Sequence, residues 1–275
     1  MLVLRSLVLL LLVSALRQGA NAQSRPAAPV KSNANAKRRA GAIDSVQWRR
    51  EHYVVNRDSA FLDPRVGLRT LRGGNRRFVE NKSIRPRQDL AALLKVEKKQ
   101  KPFAVIVGCS DSRVPHEILF DQGLGDLFIV RTAGQVMAAA SYGSIEFATL
   151  VLGTKLVVVM GHQSCGAVDA ALKRPDVPGH IVTLINSIKH AVAESKGKPG
   201  DPLDNAIRQN VLDQVEELRD LDPILSRKYK NGEVLIVGAV YRLHGGQVEF
   251  LPETLKNLPA FRTAAVSAAE EAPKH

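Results

Sequence analysis

The sequence predicts an α/β protein: a mostly parallel central β-sheet flanked by helices, with an N-terminal helical arm. Three observations lead there. Four short runs, FAVIVGC (103–109), DLFIVRT (126–132), KLVVVMG (155–161) and EVLIVGAVY (233–241), are apolar almost throughout, as strands covered on both faces are. Segments of helical periodicity separate them, which is the pattern of βαβ units. Turn residues such as Pro102, Gly153 and Gly232 bound the runs.

In chain order, residues 58–80, ending VGLRTLRGGNRRFVE, read as a helix interrupted by Gly-Gly at 73–74. A second helix is predicted over 87–100, RQDLAALLKVEKKQ, before Pro102 opens the first strand. SYGSIEFATLVLG, 141–153, reads as a helix between the second and third strands. In PLDNAIRQNVLDQVEELRDL, residues Leu203, Ile207, Val211, Val215 and Leu218 recur at helical spacing. QVEF after Gly245-Gly246 predicts a hairpin return after the fourth strand.

A chain of 275 residues can hold one large domain of this kind with a substantial core, or two small ones. With 45% hydrophobic, 24% charged and only 5% aromatic residues, the core must be filled by aliphatic side chains. Residues 1–22 carry Arg5, an apolar run from Leu7 to Val13 and a closing Ala20-Asn21-Ala22. That is the pattern of a secretory signal cleaved before Gln23, and the run is short for a membrane span. The expectation is an exported protein, periplasmic or secreted, with no stable membrane insertion after cleavage. Residues 23–57 read as a basic flexible arm, 58–262 as the catalytic domain and 263–275 as a tail. The net charge of +12 raises nucleic acid as a partner, but residues 23–50 hold seven Lys/Arg against one Asp, so half the excess lies in the arm. No nucleic-acid partner is expected.

The chain has two cysteines, Cys109 in CSDSR and Cys165 in GHQSCGA. Both, with His162, fall at the C-terminal ends of predicted strands, where sites in such sheets form. Buried packing, a redox thiol and a metal site compete for them. Export adds a disulfide to the alternatives. Two thiolates and one imidazole suit Zn²⁺ and leave one tetrahedral position for water, substrate or a carboxylate. A disulfide would leave His162, Asp111 and Arg113 without a role, though it stays open for the metal-free protein. A dithiol redox protein would be expected to show C-x-x-C, which is missing.

CSDSRV followed some fifty residues later by GHQSCGA resembles the β-class carbonic anhydrases. GNRRF (74–78), QKP (100–102), GDLFIVRTAG (125–134) and SIEFA (144–148) extend the resemblance over about residues 60–260. It implies one zinc per chain, held by Cys109, His162 and Cys165. The fourth ligand would be water or, in a closed form, the carboxylate of Asp111. It implies reversible hydration of CO₂ to bicarbonate and a proton, by a zinc-bound hydroxide that Asp111, paired with Arg113, orients. Gln100 would donate to a substrate oxygen, Phe128 would wall the CO₂ pocket, and the Gly166 N–H would be a further donor. Gln100 and Phe128 come partly from a neighbouring subunit in this family, so a homodimer or higher even oligomer is implied.

There are departures. Arg131 and Tyr241 match a regulatory bicarbonate site, but its Trp is Ile106 here, which favours the open, water-bearing site. RTAGQ (131–135) replaces a commoner Arg-Asn-x-Ala-Asn, and Phe147 stands where plant members carry Tyr. His116 and His180 are the candidates for a proton acceptor, against the plainer reading of each as a surface histidine. Hydrolysis of carbonyl sulfide or carbon disulfide would use the same ligands. A zinc-binding or bicarbonate-sensing protein with little turnover would have no need of Asp111 and Arg113.

Overall fold

The computed structural model describes residues 60–173 and 177–261; the proposed signal segment, the basic arm and the tail at 263–275 lie outside them. The four apolar runs are strands β1 (Ala104–Cys109), β2 (Leu127–Thr132), β3 (Leu156–His162) and β4 (Leu235–Tyr241), and Val248–Phe250 is β5. The sheet order is β2-β1-β3-β4-β5. Strands β1 to β4 pair in parallel and β5 returns antiparallel against β4. β1, β3 and β4 are buried at every position, while the edge strand β2 is mostly half-buried. Continuous hydrophobicity therefore marks the three central strands, whose two faces are both covered.

Alternate residues feed two cores, as the period of two requires. Val105, Val107, Val157 and Val159 point to one face, with Ile185, Ile188, Ile207, Val211 and Val215. Ala104, Ile106, Leu156 and Val158 point to the other, with Leu68 and Leu71. The first face is covered by α6 (Ile181–Ser195) and α7 (Pro202–Asp220), the second by α1 (Pro64–Val79). The remaining helices are α2 (Leu90–Val96), α3 (His116–Leu119), α4 (Ala139–Leu150), α5 (Gly166–Lys173) and α8 (Leu225–Lys230). Among the described residues no helix is long and apolar enough to cross a membrane.

Two expectations about helices are corrected. α1 runs unbroken through Gly73-Gly74. Gly74 is a contact residue, since a Cβ there would come within 1.7 Å of the Phe120 carbonyl oxygen. The next residue, Asn75, donates to the carbonyls of Leu119 and Gly246 and accepts from the Val248 N–H, pinning α1 to the sheet. α2 is only seven residues long, capped by Asp89, whose carboxylate accepts from the Ala92 N–H. It buries only Ala92, and the EKKQ that follows offers no apolar face to extend it.

Candidate metal centre

The parallel order sets β1 beside both β2 and β3, so the ends of those strands meet at one edge. Cys109 closes β1 and His162 closes β3, whose ladder to β4 pairs His162 with Tyr241. Ser164, at φ 55°, turns the chain so that Cys165 stands immediately before α5. The two sulfurs and a His162 ring nitrogen all lie within 4.8 Å of one another, and all three residues are buried. His162 Nδ1 lies 2.9 Å from the Gln163 carbonyl oxygen, so Nδ1 carries the proton and donates it there. That leaves the Nε2 lone pair directed into the cluster, buried and without a hydrogen-bond partner. An unpartnered buried imidazole nitrogen between two sulfurs fits a tetrahedral zinc with one position left open.

Electrostatics separates the two thiols, which are both free. Cys109 is held down to about 4, chiefly by a hydrogen bond from Cys165. The backbone N–H groups of Asp111 and Gly134 also donate to its sulfur, at 3.4 and 3.3 Å. Cys165 is pushed up by its hydrogen bond to the Cys109 thiolate and by burial, although the Ala167 and Val168 amides of the first turn of α5 act against this. Without metal, the pair thus shares one proton, which resides on Cys165.

Asp111 lies beside this cluster. The Arg113 Nε and N–H each donate to Oδ1 at 2.9 Å, and Nη2 donates to Oδ2 at 2.8 Å. That grip holds the Asp111 carboxyl well below the usual carboxylate range. Oδ2 stands 3.8 Å from His162 Nε2, close to the cluster but engaged by the guanidinium. Arg113 Nη2 also donates to the Ser164 carbonyl, bridging the two motifs. Arg131, from the end of β2, donates to the carbonyls of Cys109 and Asp111 and so clamps the backbone of the first motif.

The structure brings together Cys109, Asp111, Arg113, His162, Cys165 and Gly166, the first residue of α5, around which there is open space for a side chain. It does not bring Gln100 or Phe128 to this edge. Gln100 is exposed and precedes β1 at the end of the strand opposite Cys109. Phe128 pairs in register with Val105, four residues back from Cys109, and packs against the core. The surface reading of His116 is corrected. It is fully buried with both ring nitrogens unpartnered, against Gly108, and burial pushes its pKa down to about 4. A base that weak is a poor proton acceptor at neutral pH. His180 is exposed, Ile106 and Tyr241 are buried in the α1-side core, and Phe147 is exposed on α4. The roles of Arg131 and of the Gly134 N–H were not legible in the sequence; the only hint is that RTAG spans the end of β2 and the start of the turn after it.

An α/β fold with a buried Cys-His-Cys cluster at the strand ends, beside an arginine-held carboxylate, defines a protein with a candidate metal site. A sequence profile described as carbonic anhydrase matches residues 104–248. The carbonic anhydrase of Mycolicibacterium smegmatis is 39% identical over 191 residues, covering 68% of this chain and 93% of that protein. Carbonic anhydrase 2 of Mycobacterium tuberculosis is likewise 39% identical, covering 67% and 91%. The structure of the Coccomyxa β-carbonic anhydrase in complex with acetazolamide matches with a TM-score of 0.55 at 26% identity, over 65% of this chain and 83% of that one. The chain belongs to the β-class carbonic anhydrases, enzymes of the carbonate dehydratase type. A pair of tetrameric β-carbonic anhydrases from Sordaria macrospora shares the fold, with a TM-score of 0.54 at 21% identity over 58% of this chain and 85% of that one.

Proposed function

We propose that this chain catalyses the reversible hydration of CO₂ to bicarbonate and a proton, with about one zinc ion per chain held by Cys109, His162 and Cys165. The observation that carries the reading is the orphaned, buried His162 Nε2, in a cluster where a His162 ring nitrogen and both sulfurs lie within 4.8 Å of one another. When bound, zinc supplies a Lewis acid that lowers the pKa of water and so makes a nucleophile near neutrality. Asp111 then acts as the orienting acceptor: its carboxylate takes a hydrogen bond from the attacking oxygen and turns a lone pair towards the CO₂ carbon.

Arg113 has two tasks here. It keeps Asp111 ionised, and by occupying both carboxylate oxygens it keeps that residue from acting as a fourth ligand. The arrangement corresponds to the open form. The Gly166 N–H at the start of α5 provides a donor for a substrate oxygen. Gln100 and Phe128 lie away from this edge in their own chain, so we assign them to the site of a second copy. The enzyme is then a homodimer or a higher even oligomer. We also propose that residues 1–22 direct export.

The test is a stopped-flow pH-indicator assay of CO₂ hydration on protein whose metal content is measured in the same sample. About one zinc per chain with CO₂ turnover is the expected result. Zinc-loaded protein inactive on CO₂ from neutral to alkaline pH, but active on carbonyl sulfide, would overturn it.

A further inference from the structure

α7 is the long helix that covers the α6/α7 face of the sheet, and its buried stripe is not purely apolar. Among Ala206, Ile207, Val211, Val215 and Leu218 stand Asn210 and Gln214, both buried. Placing two amides in an aliphatic core is costly unless they are hydrogen-bonded. Asn210 is: its Nδ2 donates to the Gly134 carbonyl at 3.1 Å, across 76 residues of sequence, and its Oδ1 accepts from Gln214 Nε2 at 3.2 Å.

Gly134 is the centre of the 3-10 turn Ala133–Gln135 that follows β2, and its own N–H donates to the Cys109 sulfur. The turn is held from the other side as well. Gly134 has φ 65°, and a Cβ there would meet Ile188 Cδ1 at 2.8 Å and Ala167 Cβ at 3.1 Å. Asn210 therefore holds the carbonyl side of Gly134, the residue whose N–H, in the preceding peptide, is presented to a sulfur of the cluster. A hydrogen bond into a thiolate withdraws electron density from sulfur and so sets how strongly it donates to a metal.

We infer that Asn210 is a positioning residue for the metal centre, acting through Gly134, whose C=O it binds and whose N–H meets the sulfur, on the donor strength of Cys109. The inference rests on the zinc reading above. Asn210 touches neither metal nor substrate, and its influence is confined to one of the two thiolates.

Cobalt substitution reads this directly, because the thiolate-to-cobalt charge-transfer band reports electron density on sulfur. The full chain is loaded with Co²⁺ and compared with Asn210→Leu, which keeps the volume and removes the donor. The band is expected to move to longer wavelength in the variant, as the sulfur regains electron density, while zinc affinity by chelator competition falls about tenfold because the loosened turn no longer holds Cys109 in place. Gly134→Ala, which disturbs the same turn from the α5/α6 side, is expected to move the band as well and serves if Asn210→Leu does not fold. Val215→Ala truncates the same buried face without reaching Gly134 and should leave the band where it is. An unmoved band in whichever turn variant folds, or an equal shift in Val215→Ala, would overturn the inference while leaving the zinc reading intact. Wild-type protein that shows no thiolate band with cobalt would overturn both.

Discussion

Arg113 and Asp111 are two residues apart and meet through two parallel bonds, Nε on Oδ1 at 2.9 Å and Nη2 on Oδ2 at 2.8 Å. The same guanidinium reaches the Ser164 carbonyl, one residue before Cys165. One side chain thus fixes the direction of the carboxylate and the distance between the two motifs. Lysine could supply the charge but not the fork.

Asp111→Asn should therefore keep zinc and lose CO₂ hydration by at least about a hundredfold, the usual scale for a positioned acid or base. Metal content measured beside the stopped-flow rate separates the two effects. A fully active Asp111→Asn would show that orientation by Asp111 is not needed. Arg113→Lys should fall between the wild type and Asp111→Asn, with zinc still bound.

Zinc uptake by the metal-free protein should release about one proton per site near pH 7. Cys109 is already a thiolate at that pH, while Cys165 carries the shared proton. Calorimetric titration in buffers of different ionisation enthalpy counts the protons. Release of none, or of two, would contradict a single proton shared by the pair.

His116 should make the protein sensitive to mild acid. Its folded pKa, about 4, lies below the ordinary 6.5. Above 6.5 neither state is protonated at this group. Between 6.5 and 4 the unfolded chain binds a proton that the folded chain does not, so stability is lost as pH falls through that window. The full loss is on the order of 3 kcal/mol. With zinc saturating, His116→Phe should show a smaller drop in unfolding midpoint from pH 7 to pH 5 than the wild type. An equal drop would place the acid sensitivity elsewhere.

Gly74→Ala tests α1 with opposite expectations from local and tertiary physics. Helix propensity alone favours alanine by about 1 kcal/mol. The contact a Cβ would make with the Phe120 carbonyl, at 1.7 Å, outweighs that gain and should make the variant less stable in denaturant unfolding. Gly73→Ala, where only the far end of Arg77 lies within reach, should be neutral or stabilising.

If residues 1–22 direct export, protein recovered from an exporting host should begin at Gln23 by intact mass. A full-length chain retained in the cytoplasm would remove the basis for that proposal.

Much of this enzyme was present in local sequence. Strands buried on both faces must be apolar at every position, so β1, β3 and β4 could be placed to within two residues from composition alone. Metal chemistry demands particular atoms, and CSDSR and GHQSCGA carry the ligand types and the Asp111–Arg113 pair within two short stretches. Local pattern could not reveal what depends on strand order and on chains meeting from afar. Cys109 and His162 become neighbours only because β1 and β3 pair. His116 loses its water because it lies against Gly108, and Gly74 sits inside the unbroken α1 because the Phe120 carbonyl occupies the space a side chain would need. Asn210 finds Gly134 across 76 residues. Propensity and motif act over a few residues, whereas burial and the partners of a buried polar group are settled only when distant segments pack.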